Sequence, residues 1–238
     1  MRLDLKAPHQ KYFHADGKQV VGVTTYLNVL GKDALMPWAA KEEREGVIQW
    51  FKDGKQFWDL PKPYFYAGKR DKAADLGTIA HARIEAWLHK TTLDPEGLDE
   101  ALYAASLAPL ERFCEWWDGE GLTLVSSEEQ LVHPELRYGG TVDFVAQENG
   151  GGFVLGDIKT TKANQSWPYP TVIAQVAAYR ALWEQSRFPI KIGRVVVVRV
   201  GKTPEDLGQQ VWLTPKKLDA GMRLFLAAKD AYEAQREL

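Results

Sequence analysis

Two aspartates and one lysine lie close together near the middle of the chain, within residues 139–162. Asp143 and Asp157 each stand in an apolar run, and Lys159 follows the second aspartate by two residues. Hard divalent cations such as Mg²⁺ and Mn²⁺ prefer carboxylate oxygens, and a positioned ammonium can stabilise negative charge on a phosphate. These residues predict metal-dependent hydrolysis of a phosphodiester. The alternative interpretation is an ordinary ion pair between Asp157 and Lys159 on a sheet edge, worth under ~1 kcal/mol if exposed.

Two β-strands joined by a tight turn would position these three side chains. The apolar runs around the two aspartates are typical of strands, and the glycine-rich residues 148–152 between them predict a hairpin. Side chains alternate between the faces of a strand, so Asp157 and Lys159 point the same way and Ile158 points the other way. The hairpin can then bring Asp143 beside Asp157.

The rest of the chain predicts an α/β domain with a central mixed β-sheet flanked by helices. The predicted elements are a hairpin over 11–24, a helix capped by Thr24 or Thr25 and ending at Gly31, a helical region over 34–58, helices over 79–90 and 100–117, a strand over 122–132, a helix over 171–185, strands over 194–200 and 211–213, and a final helix from 215. Pro109 should kink or split the helix over 100–117. We expect one domain over 1–238, with an N-terminal elaboration over 1–74 and a core over 75–238.

The N-terminal third alternates aromatic and basic residues, a combination that suits stacking on unpaired bases and contact with a phosphate backbone. The predicted loop over 61–72 is the best candidate for such contacts. Its candidate substrate-binding residues are Tyr64, Tyr66, Lys69 and Arg70. The tryptophans elsewhere in the chain are assigned to packing.

Composition excludes several classes of protein. A hydrophobic content of 45% with 26% charged residues is typical of a folded globular chain rather than a disordered one. The single cysteine, Cys114, excludes an intramolecular disulfide, a cysteine-held zinc site and an iron–sulfur cluster. The N-terminus lacks the apolar core of a signal peptide, and no run of about 18 apolar residues occurs. We expect a soluble cytoplasmic protein with no membrane partner.

Charge is distributed unevenly along the chain. The net charge is −2, yet residues 85–135 hold twelve acids and two bases, whereas residues 158–202 hold eight bases and one acid. The basic stretch begins directly after Asp157, so a basic surface could border the predicted metal site.

Several short motifs occur in one order along the chain. They are Gly77-Thr78-x-x-His81-x-x-x-Glu85, Gly140-x-x-Asp143, Asp157-x-Lys159 and Gln175-x-x-x-Tyr179. This order resembles the PD-(D/E)xK nuclease superfamily, and in particular its RecB-like exonuclease group, which includes phage-encoded exonucleases and the mitochondrial genome-maintenance exonuclease. The resemblance covers most of the chain and implies a restriction-endonuclease-like core.

The resemblance implies a site for one or two Mg²⁺ or Mn²⁺ ions. Asp143, Asp157 and the backbone carbonyl of Ile158 would be metal ligands, with His81 as the additional ligand of the RecB-like group. On its own, a histidine on a helix is more often an ordinary polar or packed residue.

The resemblance also implies roles for other residues. Lys159 would orient or activate the attacking water, and Gln175 and Tyr179 would hold the active site and the DNA backbone in place. Glu129 resembles an acidic position often found on the first strand of the core, with Glu128 as the alternative register.

The function expected from the sequence is a metal-dependent DNA exonuclease that leaves a 5′ phosphate. It would act on single-stranded DNA or DNA ends in phage or bacterial replication, recombination or repair. A structure-specific endonuclease and a catalytically silent DNA-binding protein on the same fold are the alternatives. The chain has no GxxxxGK[ST] motif, so a helicase or recombination protein would be a separate partner. The oligomeric state stays open.

Overall fold

The computed structural model of the protein describes residues 1–5, 10–31, 35–61, 65–161, 167–186 and 190–238. Its helices are α1 (Val23–Leu27), α2 (Leu35–Lys52), α3 (Phe65–Leu88), α4 (Glu100–Ala105), α5 (Leu107–Glu120), α6 (Pro170–Glu184) and α7 (Pro215–Gln235). Its strands are β1 (Tyr12–Phe13), β2 (Gln19–Gly22), β3 (Leu122–Val132), β4 (Tyr138–Glu148), β5 (Phe153–Lys159), β6 (Arg194–Arg199) and β7 (Gln209–Trp212). Short 3₁₀ helices occupy Asn28–Leu30 and Phe57–Asp59. No helix within the described ranges is both long and apolar enough to cross a membrane.

The strands form one mixed sheet in the order β1-β2-β4-β5-β6-β7, and β3 pairs with β4 outside that order. The β2–β4 and β5–β6 pairs are parallel, and the other pairs are antiparallel. Helices cover the sheet, so the predicted α/β fold with a central mixed sheet flanked by helices is confirmed.

Two hydrophobic clusters that contain buried aromatic rings hold the helices on the sheet. One cluster joins α6 and α7 to the sheet, and within it the rings of Tyr138 and Phe225 lie 4.6 Å apart. The other cluster joins α3 and α5 to the sheet, and there Phe113 lies 5.9 Å from Phe144. All four of these rings are fully buried, and burying side chains of this size contributes roughly 1.5–3 kcal/mol each.

Strand β5 is therefore enclosed by helices on both of its faces. The two clusters meet there, because Leu155 belongs to the first cluster and Ile158 to the second. A charged group on this strand is consequently removed from bulk water, and that burial governs the chemistry of the site.

The hairpins predicted from turn residues are present. Gly17 has a φ of 80° in the turn between β1 and β2, and Gly151 has a φ of 87° between β4 and β5. These left-handed conformations are the ones that favour glycine. The prediction that Thr24 or Thr25 caps the first helix is wrong, because α1 begins after Gly22 without a side-chain cap.

Two helices differ from their predictions. Within the loop expected over 61–72, residues 65–72 instead begin α3, a single helix that runs from Phe65 to Leu88. This helix spans the boundary at residue 74 that was predicted between the N-terminal elaboration and the core. The helix expected over 100–117 is split rather than kinked, but the break falls at Ser106 and not at Pro109. Pro109 lies in the first turn of α5, where the missing N–H costs no helical hydrogen bond.

Candidate active site

The candidate site lies where strands β4 and β5 separate. Their antiparallel pairing ends at Phe144 and Gly156, so the next residues, Asp143 and Asp157, stand at the point of separation. Gly156 permits this close pairing, because a Cβ there would overlap the Phe144 ring. The backbone N–H of Ile158 donates to Asp143 Oδ2 at 2.6 Å, across the two strands. The predicted proximity of the two aspartates is confirmed.

Lys159 and Asp157 form a partly buried ion pair. Lys159 Nζ donates to Asp157 Oδ1 at 2.9 Å and lies 2.7 Å from Oδ2. The Asp157 side chain is 0% exposed, whereas the Lys159 side chain is 25% exposed. Ile158 packs among apolar residues on the other face of β5, as strand alternation predicts. The interpretation of these residues as an exposed pair on a sheet edge is wrong, because β5 is interior and Asp157 is buried.

Helix α3 and strand β3 supply two further groups to the site. One ligand atom each from His81, Glu128 and Asp143 can be chosen so that all three lie within 4.8 Å of one another. His81 Nδ1 lies 3.9 Å from Asp143 Oδ2. These three residues come from α3, β3 and β4, so tertiary packing alone creates the cluster.

The structure places Glu128, rather than the preferred candidate Glu129, in this cluster. The β3–β4 register pairs Ser127 with Phe144 and Glu129 with Val142, which leaves Glu128 facing Asp143. Glu129 accepts a hydrogen bond from Ser126 Oγ at 3.1 Å. Glu128 has a φ of 48°, a conformation that residues other than glycine rarely adopt, and strained backbone of this kind concentrates at functional sites. The choice of Glu129 for the site does not fit this geometry.

Burial dominates the protonation of the carboxylates. It raises the pKa of Glu128 to about 8, and the charges of Asp143 and Glu85 add to that shift. It also raises the pKa of Asp157 to about 6, with Asp143 adding and Lys159 opposing. The pKa of Asp143 is raised by burial as well, against the charge of Lys159 and the hydrogen bond from the Ile158 backbone. The site therefore concentrates more negative charge than it can hold fully ionised without a further cation.

The pKa values of His81 and Lys159 shift in opposite directions. Burial and the charge of Lys159 lower the pKa of His81 to about 4, so its imidazole is neutral at pH 7 and can act as a ligand. Burial lowers the pKa of Lys159, but Asp157 and Asp143 more than offset it, so the net shift is upward and the ammonium persists.

The donor set fits a hard divalent cation. Asp157 Oδ2 is buried and lies 2.7 Å from Lys159 Nζ, so the ammonium offsets part of its charge. Three carboxylates and a neutral imidazole gathered at one site suit Mg²⁺ or Mn²⁺. Ile158 lines the same cavity as His81, which places it at the site.

Helix α6 carries Gln175 and Tyr179 and places them beside the two aspartates of the site. Gln175 Nε2 donates to the Tyr179 hydroxyl at 2.9 Å, and Tyr179 is only 5% exposed. Burial and then the charge of Asp157 raise the pKa of Tyr179 well above its usual value. The absence of a side chain at Gly140 leaves room for the Tyr179 ring, because a Cβ on residue 140 would lie 2.6 Å from that ring. The sequence prediction that these residues share the site with Asp157 agrees with this geometry.

A cavity of about 470 Å³ opens over the cluster. Its walls include Gly77 on α3 and Thr160 and Thr161 directly after β5. Gly77 lets α3 approach the end of that strand, because a Cβ there would lie 2.8 Å from Thr160 Oγ1. A space of this size, bordered by carboxylates and an ammonium, can admit a phosphate group with its neighbouring sugar.

Sequence reasoning missed a buried ion pair that supports the cavity wall. Arg199, on β6, is 3% exposed, donates to both oxygens of Asp206 at 2.7 and 2.8 Å, and donates to the Thr161 carbonyl at 3.1 Å. It stands beside Lys159 in the parallel β5–β6 register. The available signal was a charged residue at the end of an otherwise apolar strand.

Of the predicted substrate-binding residues in the N-terminal third, Tyr66 and Arg70 do not line the cavity. Tyr64 lies outside the described residues, and Lys69 is described only in its backbone, within α3. Tyr66 is half-buried, with its backbone N–H donating to Glu43. Arg70 is exposed and pairs with the adjacent Asp71 at 2.8 Å. The prediction that Trp58 packs in the interior is wrong, because Trp58 is 78% exposed.

Comparisons with known proteins give limited similarity. No family model matches the chain, and no curated protein matches it. Among solved structures, it is similar to LHK-Exo, an alkaline exonuclease from Laribacter hongkongensis, with 15% identity over 70% of this chain and 87% of that one and a TM-score of 0.38. The same enzyme in complex with dAMP gives 16% identity over the same shares and a TM-score of 0.37. A putative exonuclease from Eubacterium rectale gives 10% identity over 66% of this chain and 68% of that one, with a TM-score of 0.43.

Proposed function

We propose that this chain is a Mg²⁺- or Mn²⁺-dependent deoxyribonuclease that hydrolyses phosphodiester bonds as an exonuclease, on single-stranded DNA or at DNA ends. The observation that carries the proposal is the convergence of His81, Glu128 and Asp143 within 4.8 Å, beside the buried pair of Asp157 and Lys159. The preference for an exonuclease, and the expected setting in phage or bacterial replication, recombination or repair, come from the order of the sequence motifs.

The carboxylates and the imidazole have the chemistry to hold the ion. His81, Glu128 and Asp143 would be its ligands, with Asp157 Oδ2 and the carbonyl of Ile158 available as further donors. When bound, the ion would lower the pKa of a coordinated water and neutralise charge on the phosphate. Neutral His81 supports this role, because an imidazolium could not coordinate a cation.

Lys159 would act as a fixed positive charge at the edge of the cavity. Its raised pKa keeps the ammonium protonated at neutral pH, so it donates hydrogen bonds and does not remove protons from water. A cation held at this position stabilises negative charge that develops on the phosphate oxygens in the transition state. Asp157 fixes the direction of that ammonium through contacts with both carboxylate oxygens.

The reaction replaces one phosphorus–oxygen bond with another. Water attacks the phosphorus, the bond to the 3′ oxygen breaks, and that oxygen takes up a proton, which leaves a 3′ hydroxyl and a 5′ phosphate. Gln175 and Tyr179 would hold the DNA backbone and the nearby aspartates in place, since their mutual hydrogen bond orients both side chains toward the site.

Cleavage of end-labelled linear and circular single-stranded DNA, with Mg²⁺, Mn²⁺ or EDTA, tests the proposal. We expect metal-dependent loss of the linear strand while the circle stays intact. Cutting of the circle would assign an endonuclease instead. DNA binding without cleavage under either metal would assign a silent DNA-binding protein.

A further inference from the structure

Helix α2 and the first half of α3 form a helical hairpin outside the core. Trp50 of α2 meets Phe65 of α3 with ring centroids 5.9 Å apart, and Gly46 lies directly against the same phenylalanine. Among the described residues, none of α2 and none of α3 before Ile79 belongs to the three hydrophobic clusters of the protein. We call this hairpin, residues 35–61 and 65–76, the helical arm.

The tip of the arm exposes two adjacent aromatic rings. Phe57 is 68% exposed and Trp58 is 78% exposed, although large aromatic side chains gain most from burial. The backbone that carries them is held in place, because Trp50 Nε1 donates to the Gln56 carbonyl at 2.9 Å. Lys55 Nζ lies 4.4 Å above the Trp50 ring. A fixed and exposed aromatic pair of this kind marks a binding surface.

The arm is continuous with the candidate active site through one helix. Helix α3 begins at Phe65 beside the tip, reaches the cavity wall at Ala73 and places His81 in the cluster. At 1.5 Å per residue, the base of the tip is roughly 12 Å from the cavity wall and roughly 24 Å from His81. A stacked strand rises about 3.4 Å per nucleotide, so those distances correspond to about four and about seven nucleotides.

The arm carries seven basic and seven acidic residues, so its continuity with the candidate site, and not its net charge, selects a nucleic acid as the occupant. Lys52 and Lys72 are exposed along the arm, whereas Lys55 lies 3.8 Å from Asp53 and Arg70 pairs with Asp71. Aromatic faces flanked by cations stack on bases while the cations contact phosphates.

We propose that Phe57 and Trp58 form a stacking platform for the unpaired bases of a DNA strand whose end lies in the active-site cavity. This inference rests on the proposed nuclease function, since that function supplies the strand. The platform would add to binding only when the strand reaches beyond the cavity wall to the tip of the arm.

Fluorescence anisotropy with labelled single-stranded oligonucleotides in EDTA tests this platform without cleavage. We expect Phe57→Ala with Trp58→Ala to weaken binding of strands of about sixteen nucleotides by roughly tenfold or more, and to leave strands of about three nucleotides unaffected. Trp58→Phe should retain most of the affinity, because the ring remains. Leu207→Ala is the matched control, since Leu207 is also exposed, at 73%, but lies outside the arm.

Three results would overturn the platform. They are unchanged binding of long strands, equal losses for short and long strands, and sedimentation showing that the double variant converts a dimer into a monomer. The last result would assign a second copy of the chain to this surface. The nuclease proposal fails by a different result: a wild-type protein that binds long strands but cleaves none of them with Mg²⁺ or Mn²⁺. The anisotropy measurement would still report on the platform in that case, so the two failures can be told apart.

Discussion

Replacing Lys159 with alanine separates the chemistry of the site from its metal binding. The substitution removes the ammonium that contacts Asp157, whose carboxylate is 0% exposed, and leaves that carboxylate buried beside the charge of Asp143. Removing one partner of a buried ion pair typically costs about 3 kcal/mol or more. For a chain of this length, a loss of that size lowers the Tm by roughly 6–12 °C.

The loss should depend on pH in a defined direction. The pKa of Asp157 is already raised to about 6, and without Lys159 it rises further. A carboxyl whose pKa is higher in the folded than in the unfolded state binds its proton more tightly when folded, so stability falls as pH rises through that range. We therefore expect a large loss of Tm at pH 8 and a small one at pH 5.

A divalent ion should restore much of this stability, because it would replace the missing positive charge. Cleavage should nevertheless fall by about 10²- to 10³-fold, the usual effect of losing one group that stabilises charge in the transition state. Thermal unfolding at pH 5 and 8, with and without Mn²⁺, and single-turnover cleavage measure these effects. Equal destabilisation at both pH values, or cleavage at the wild-type rate, would refute the reasoning.

Three further predictions concern the same region. Mn²⁺ should raise the Tm of the wild-type protein more at pH 8.5 than at pH 6, because the ion competes with protons on Glu128, whose pKa is about 8, and on Asp157. Glu128→Gln should lower the cleavage rate by about 10²-fold or more, whereas Glu129→Gln should change it by only a few fold. Asp206→Ala should lower the free energy of unfolding by about 3 kcal/mol, because it leaves the buried Arg199 guanidinium without its carboxylate.

Matched measurements decide these three predictions. A Mn²⁺ shift in Tm that does not grow with pH would contradict the first. Equal activity of the two glutamine variants, or a stronger effect of Glu129→Gln, would contradict the second. For the third, Asp71→Ala is the control, because its pair with Arg70 is exposed and worth under ~1 kcal/mol, and equal losses in urea unfolding would show that burial does not matter.

The central hairpin could be predicted from sequence because its signals are local. Alternating side chains placed Asp157 and Lys159 on one face, and a glycine-rich turn joined the two strands. The order of the motifs then indicated that His81, Gln175 and Tyr179 belong near the aspartates. The structure brings all of these residues to one region.

The sequence named Glu128 only as the alternative to Glu129, because tertiary structure decides between the two registers. Regular alternation along β3 does not distinguish it from Glu129. The register of β3 shifts between Leu124 and Ser126, and Glu128 itself adopts a left-handed backbone conformation. No glycine or proline stands at the register shift or at Glu128, so the sequence does not indicate either irregularity.

The first half of α3 was missed for a different reason. Residues 65–76 contain good helix formers such as alanine, lysine and arginine, but they lack the apolar periodicity that identifies a packed helix. Packing against the core stabilises the second half of α3, which begins at Ile79, and the more exposed first half extends that helix. The exposure of Trp58 is likewise decided by the arm standing outside the core.

Locating Mn²⁺ by anomalous diffraction in crystals of the wild-type protein tests the central claim most directly. The predicted result is an anomalous peak within coordination distance of His81, Glu128 and Asp143, which disappears in crystals of Asp143→Asn. An ordered Mn²⁺ bound elsewhere, with no peak between these three residues, would contradict the proposed metal centre and the hydrolysis that depends on it.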